Sequence, residues 1–418
     1  MTKLDDILKE FPEESRDIVR AAWQALPAGS RDELLSLLPA LPSQPGKIRK
    51  IFELSYEQLQ QAFGDKQRVA IVGPANVGKS TLYNRLVAER ADRAEVGPVP
   101  GTTRQNQEAS AGPFTVVDTP GADAVGPVGQ RERELALRAA AEADFLVILF
   151  DAVQGIKQTE QALFAELQQL YKPYIVVLNK MDLISRRQRA VVVSKAAENL
   201  GIAAESIVPI SAEEEDNLEE VVLGIVKAEP ALVAALGRAL PAYRWQLAWR
   251  AITGAASTAG LIALTPLPFV DFIPLLAIQV SLVLSVARIY DYRITPARAR
   301  EIVSVMGGGF LARTLFYEIA KLGGPPTWLV AAGVAAGTTV AMGYAAILWF
   351  ERGERLTREG AQRVSRVVAG QLVETLKNLG RRKPSRDQLS QRIREALEES
   401  PIGRDRSGLD EVVGENGE

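Results

Sequence analysis

The order of apolar and polar positions gives the chain several distinct textures. From Leu4 to about Phe63 apolar residues recur at helical spacing, with Leu4, Ile7, Leu8 and Phe11 on one face and Pro27, Pro39, Pro42 and Pro45 as interruptions. This pattern predicts short amphipathic helices, read either as a collar on the following domain or as a partner-binding module. From Gln67 short β-branched runs at 68–72, 114–118, 145–150, 174–178 and 207–210 alternate with helical patterns. Strands apolar on both faces and separated by helices predict a mostly parallel sheet in a three-layer α/β domain. After Glu229-Pro230 uncharged stretches at 252–270, 272–287 and 327–350 dominate, a charged helical pattern resumes at Glu351, and residues from about Gly403 turn polar and glycine-punctuated. The expected organisation is an N-terminal helical segment (1–66), the α/β domain (67–228), an all-α hydrophobic domain (229–350), a charged helical segment (351–402) and a disordered tail (403–418).

Composition narrows the chemistry. The 418 residues include no Cys and no His, which excludes disulfides, thiolate zinc sites, cysteine nucleophiles, Ser-His triads and an imidazole base. A formal net charge of -2 offers no global attraction to nucleic acid, so neither DNA nor RNA is an expected partner. The first fifteen residues are charged and lack an apolar run, so a secretory signal is not expected and the start reads as cytoplasmic.

The chemistry concentrates at the carboxyl ends of the expected strands, where ligands of such sheets sit. Gly73-Pro74-Ala75-Asn76-Val77-Gly78-Lys79-Ser80-Thr81 fits the phosphate-loop pattern G-x-x-x-x-G-K-[ST], with an apolar strand before it and a helical start after it. Glycines let the backbone N–H groups close on phosphate oxygens, and the helix N-terminus adds positive potential. Lys79 reaches the β- and γ-phosphates, and Ser80 offers a hydroxyl to Mg²⁺. Asp118-Thr119-Pro120-Gly121 follows the second run; the carboxylate there can hold Mg²⁺ through water and the Gly121 N–H can sense a γ-phosphate. Asn179-Lys180-Met181-Asp182 follows the fourth run, where a carboxylate can accept both hydrogen bonds from the N1–H and N2–H₂ edge of guanine, an edge adenine lacks. Ser211-Ala212, after the fifth run, would cap the base.

Taken with Gly101-Thr102-Thr103-Arg104, these stretches resemble the five ordered motifs of the Era-like branch of translation-factor-class GTPases, over about residues 67–227. The resemblance implies a P-loop NTPase G domain that binds GTP or GDP and hydrolyses GTP, with Mg²⁺ held at Ser80, Thr103 and Asp118, and with Lys79, Thr103 and Gly121 at the reaction. In that family Thr103 closes over Mg²⁺ and γ-phosphate. Gln105 stands where the family usually has Asp, and Ala122 stands where Ras-like proteins carry a water-orienting Gln. A methyl group cannot orient water, so unaided hydrolysis is expected to be slow. Related enzymes recruit K⁺ through an Asn at the position of Asn76; here Asn76 is read either as a K⁺ ligand or as a brace of the loop. Many such switches dimerise through the G domain.

The hydrophobic half admits two readings. A helix over 327–350 would span about 36 Å, enough for a bilayer core of about 30 Å, with Trp328 and Trp349 near its ends and Gly333 and Gly337 at small-xxx-small spacing. The same residues could bury one another in a soluble bundle. Arg293, Arg298, Arg300, Arg313 and Lys321 in the connector disfavour a simple two-span hairpin. Thr265-Pro266-Leu267-Pro268-Phe269-Val270-Asp271, with Ile273-Pro274 and Gln279, resembles a domain of unknown function appended to many bacterial GTPases of this branch. Asp271 reads as a turn-capping carboxylate or as an intramembrane acid. Arginines after Glu351 make either a solvated helix face or a surface for anionic lipid. The function expected is a GTP-hydrolysing switch coupled to a membrane-associated helical domain on the cytoplasmic side of the cell membrane. The alternatives are a soluble Era-type RNA assembly factor in the cytoplasm and a GTP-driven membrane scaffold.

Overall fold

The computed structural model describes residues 57–58, 60–62, 64, 66–87, 113–119, 127–263, 272–292, 327–377, 385–398 and 412. These fall into two compact units, one of residues 65–244 and one that joins the residues up to Gly64 with those from Trp245 onward.

The 65–244 unit is built on five strands, β1 (Val69–Pro74), β2 (Phe114–Thr119), β3 (Phe145–Asp151), β4 (Tyr174–Asn179) and β5 (Ile207–Pro209). They pair in the order β2-β1-β3-β4-β5, every pair parallel. β3 is buried at all seven positions, as a central strand covered by helices on both faces must be. Between the strands run α1 (Lys79–Leu86), α2 (Pro127–Glu142), α3 (Gln158–Gln168) and α4 (Arg186–Leu200), and α5 (Leu218–Ala228) follows β5. One core joins Ala136 and Ala140 of α2, Leu163 and Phe164 of α3 and Ala196 of α4 to Val72, Ile148, Phe150 and Val176 of the sheet. Phe164 meets Tyr174 edge to face at 5.6 Å. Strand order turns about β1, since the chain leaves it to one side for β2 and returns on the other for β3. That is where a parallel sheet opens a ligand crevice.

Asp144 sets the register of the two central strands. Its carboxylate accepts from the backbone N–H of Gln67 at 2.9 Å and of Arg68 at 3.0 Å, while its own N–H donates to Arg68 O at 2.8 Å. Burial alone would raise its pKa, but the two backbone donors, with Arg68 and Lys66 nearby, hold it below the usual carboxylate range. The unit does not end with α5. It continues through α6 (Val233–Ala239) to Arg244, with Leu232, Val233 and Leu236 wholly buried and Lys66 paired to Glu229 at 2.6 Å.

The second unit contains α7 (Arg244–Ala263), α8 (Phe272–Ile289), α9 (Thr327–Arg352), α10 (Arg358–Leu376) and α11 (Arg386–Glu398). Among the described residues one helix, Trp328–Arg352, is long and apolar enough to cross a membrane, and 94% of its most apolar window is buried inside the protein. Its small residues explain how. A Cβ at Gly337 would lie 2.6 Å from Ser365 O, and one at Gly333 3.2 Å from Ala369 O, so α9 and α10 approach to backbone contact along that face. α10 turns Val364, Val368, Leu372 and Leu376 inward while Arg366, Glu374 and Lys377 stay exposed. Three interior hydroxyls bond within their own helices, Thr338 to Val334 O at 2.7 Å, Thr339 to Ala335 O at 2.8 Å and Ser285 to Ser281 O at 2.8 Å, so the burial of these three leaves their donors met, while Ser257 donates across to Ser390 O of α11 at 2.9 Å.

The helical residues just before the α/β unit belong to this second unit rather than to a separate segment. Glu57 pairs with Arg394 of α11 and lies 3.8 Å from Arg250 of α7, and Arg288 of α8 donates to Gly64 O at 2.5 Å. Residues 293–326, with the connector arginines and Lys321, and Asp271 lie outside the described residues, as does the tail from Gly403 apart from Val412, whose carbonyl accepts from Arg363 at 3.3 Å.

Asp144→Ala should cost the α/β unit about 1 kcal/mol at neutral pH, the low end for charge-assisted bonds that stay partly solvated. Because the folded pKa is depressed, this contribution is complete above the unfolded value of about 3.9 and disappears as pH falls through the folded one. Denaturant titrations of wild type and variant should therefore converge as pH falls below about 4.

Candidate functional site

The loop between β1 and α1 is shaped by contacts that only glycine tolerates. Gly78, at φ 97°, sits where a Cβ would come 2.3 Å from the Asn179 Nδ2, and a Cβ at Gly73 would lie 2.2 Å from Leu149 O. No side chain caps the first turn of α1, so its N–H groups face the loop as an anion-binding end. Lys79, only 3% exposed, folds its ammonium onto Gly73 O at 2.8 Å and Pro74 O at 2.5 Å. Asn76 has φ 64°, a left-handed geometry that asparagine accepts. Its side chain is exposed and makes no hydrogen bond among the described residues; its backbone carbonyl is what the fold uses.

Asn179, the last residue of β4 and 3% exposed, ties three loops together. Its amide donates to Val77 O at 2.8 Å and its carbonyl oxygen accepts from Ala212 N at 2.9 Å. One buried carboxamide thereby satisfies a phosphate-loop carbonyl and the N–H of the loop after β5, two groups that would otherwise be stranded in a dry site. Lys180, at φ 67°, bonds Asn76 O at 2.7 Å and the Asp151 carboxylate at 2.7 Å. Asp182 is exposed and oriented, its Oδ1 accepting from Ser211 Oγ at 2.6 Å, while Ser211 Oγ in turn accepts from Glu214 N at 3.1 Å. In β1–β2 register Gly73 lies opposite Asp118, which brings the backbone of the second motif beside the loop.

The structure thus gathers Gly73, Asn76, Val77, Gly78, Lys79, Ser80 and Thr81 with Asn179, Lys180, Asp182, Ser211 and Ala212 at one edge of the sheet. Thr103, with Gly101 to Arg104, and Gly121, Ala122 and Gln105 lie outside the described residues, and of Asp118 only the backbone is described. For Mg²⁺ the described part contributes the Ser80 hydroxyl at the head of α1 and the backbone position of Asp118. No group of three His, Cys, Asp or Glu side chains that could hold a metal is found among the described residues.

Asp151 is the residue that pattern reading passes over. It is 4% exposed at the end of β3 and holds Lys180 with one carboxylate oxygen while the other accepts from Val153 N at 2.8 Å. The signal is an acid closing an otherwise apolar strand, FLVILFD, in register with Asn179.

Residues 68–180 match the family described as 50S ribosome-binding GTPase, and residues 238–378 match a domain of unknown function, DUF697. The GTPase Der of Trichlorobacter lovleyi is 43% identical over 123 residues, 28% of this chain and 27% of that protein. The tRNA modification GTPase MnmE of Synechocystis sp. is 36% identical over 188 residues, 39% of this chain and 40% of that protein. The chain spans well under half the length of these curated relatives. Among solved structures, Aquifex aeolicus Era bound to GDP.AlF4- aligns at TM-score 0.34 with 27% identity, covering 46% of this chain and 67% of that one. Residues 68–180 thus carry the match to a GTPase family and residues 238–378 the match to DUF697; the curated relatives are named Der and MnmE, so the Era branch is not singled out.

Replacing Asn179 by Ala strands Val77 O and Ala212 N together. The α/β unit should lose about 2–4 kcal/mol in denaturant unfolding without nucleotide, more than one surface bond is worth, because two buried groups go unmet.

Proposed function

With a P-loop GTPase domain as the premise, we propose that the chain binds GTP at the β1–β3 crevice and hydrolyses it to GDP and phosphate as a switch. The observation that carries this reading is the chain of contacts Ser211 to Asp182 and Ala212 to Asn179 to Val77. It places a fixed, exposed carboxylate for the guanine edge on the same rigid frame as the phosphate loop. Lys79 would exchange its bonds to Gly73 O and Pro74 O for β- and γ-phosphate oxygens, and the first-turn N–H groups of α1 would bind the same phosphates. Mg²⁺ would be held by Ser80, by Asp118 through water and by Thr103, and would supply charge neutralisation on those phosphates. Gly121 would report the γ-phosphate. With Ala122 unable to orient water, K⁺ at Asn76 would supply part of the missing transition-state charge. The Asn76 carboxamide, exposed and without a hydrogen bond among the described residues, supports that role over bracing.

The nucleotide state would be relayed to the helical unit at the cytoplasmic face of the cell membrane, with lipid and a second copy of the G domain as partners. A second reading, a water-soluble GTPase factor, is favoured by one observation: α9 is buried by α10, whose outer face carries Arg366, Glu374 and Lys377. Carrying that charged face into hydrocarbon would be costly.

Purified chain should bind GTP and GDP at least about 10⁴-fold more tightly than ATP. Asp182→Asn should abolish that preference, Lys79→Ala should remove binding, and exchanging K⁺ for Na⁺ should slow turnover. Equal affinity for the two purines would defeat the reading. In cell fractions, retention in membranes after carbonate with release by detergent is the result expected for the membrane-coupled switch, whereas recovery in the soluble pool selects the second reading.

A further inference from the structure

The loop that follows β5 is held from outside the residues so far assigned. Its turn is closed by paired backbone bonds between Ser211 and Asp216, at 3.1 and 3.0 Å. Two of its residues, Glu215 at φ 58° and Asn217 at φ 65°, adopt left-handed backbone. Non-glycine residues in that region persist only where surrounding contacts over-determine them. For Asn217 the contact is its own amide, which donates to Pro209 O at 2.8 Å. For Glu215 it is Arg85, in the last turn of α1.

Arg85 donates through Nη1 to Glu215 Oε1 at 2.7 Å and through Nη2 to Glu213 O at 3.0 Å, with the Glu213 carboxylate at 3.7 Å. The planar guanidinium therefore grips the loop at two points, one charged and one on the backbone, which a single-point ammonium could not reproduce. The helix bearing Arg85 begins at Lys79, directly after Gly78. The loop it grips carries Ser211 and Ala212, which hold Asp182 and Asn179. Arg85 thus closes a ring that runs from the phosphate loop through α1, the β5 loop and Asn179 back to Val77 O. The other named ties in that ring are made at the sheet edge; Arg85 makes its tie from the last turn of α1.

Resting on the proposal that this site binds guanine nucleotides, we propose that Arg85 is a positioning residue that sets how fast the base is released. With the guanidinium in place the loop that caps the base moves only together with the phosphate-loop helix. Without it, Ser211 and Ala212 rely, among the described residues, on Asn179, Asp182, the Ser211–Asp216 turn and the approach of Arg189 to Asp216 at 3.7 Å. The carboxylate of Asp182 then loses its fixed aim. Glu213 and Glu215 are largely exposed, so the effect is one of kinetics and alignment rather than of global stability. Discrimination between guanine and hypoxanthine should weaken at the same time, because the two bases differ only in the amino group that a well-aimed carboxylate reads.

The test is release of fluorescently labelled GDP from the full chain, chased with unlabelled GDP, for wild type, Arg85→Ala, Arg85→Lys, Glu215→Gln and the charge-reversed double variant Arg85→Glu with Glu215→Arg. Release should quicken by about 3- to 30-fold in Arg85→Ala, the factor expected for losing a partly exposed charge-assisted bond together with a backbone bond. It should quicken less in Arg85→Lys and Glu215→Gln, and the double variant should recover toward wild type. The preference for GDP over IDP should fall in Arg85→Ala. Wild-type release rates and an unchanged GDP-to-IDP ratio in both Arg85→Ala and Glu215→Gln would overturn the inference while leaving guanine binding intact. A wild-type chain that retains no GDP would remove the underlying reading and this inference with it. Glu215→Gln leaves the α1 core untouched and keeps the test decisive where Arg85→Ala does not fold.

Discussion

Much of the α/β unit answers to one buried carboxamide. Asn179 ends the strand that lies beside β3, and its two polar atoms go to two different loops, so neither loop can shift without leaving a dry donor or acceptor unmet. That cost is what turns three chain segments, 102 and 33 residues apart in sequence, into one rigid edge. The glycine at position 78 is a consequence, since the same amide occupies the space a side chain would need. So is the usefulness of Asp151, which fixes the neighbouring Lys180 and, through it, the carbonyl of Asn76. Binding a flexible polyanion becomes cheaper when the groups that meet it are already immobile.

The helical unit obeys a different constraint, close approach of backbones. Gly333 and Gly337 let α10 lie against α9, and the hydroxyls of Thr338 and Thr339 return to carbonyls of their own helix, so these polar atoms are buried with their bonds made. Length and apolarity alone made 327–350 equally suited to lipid. In the described structure that helix is buried, and its neighbour α10 carries exposed Arg366 and Glu374. This unit is also discontinuous in sequence. Glu57, Gln58 and Gly64 precede the α/β unit yet are held by Arg394, Thr258 and Arg288, which follow it.

What the sequence determined by itself was everything carried by short-range pattern. Runs such as VAIVGP and FLVILFD are strands because β-branched and aromatic residues without a polar face can only be buried on both sides, and their order with intervening helical periods specifies a parallel sheet. The phosphate loop, Asn179 to Asp182 and Ser211-Ala212 were legible because their spacing to strand ends carries the chemistry. Tertiary structure alone decided the pairings that span long distances: Asn179 with Val77 and Ala212, Asp151 with Lys180, Arg85 with Glu215, and Glu57 with Arg394. None has a periodic signature, since each depends on where two independent segments meet after the sheet has formed. The same reason carries the α/β unit past residue 228 to Arg244 and assigns the helical residues before it to the bundle: contacts, which leave no mark on local composition, draw those boundaries.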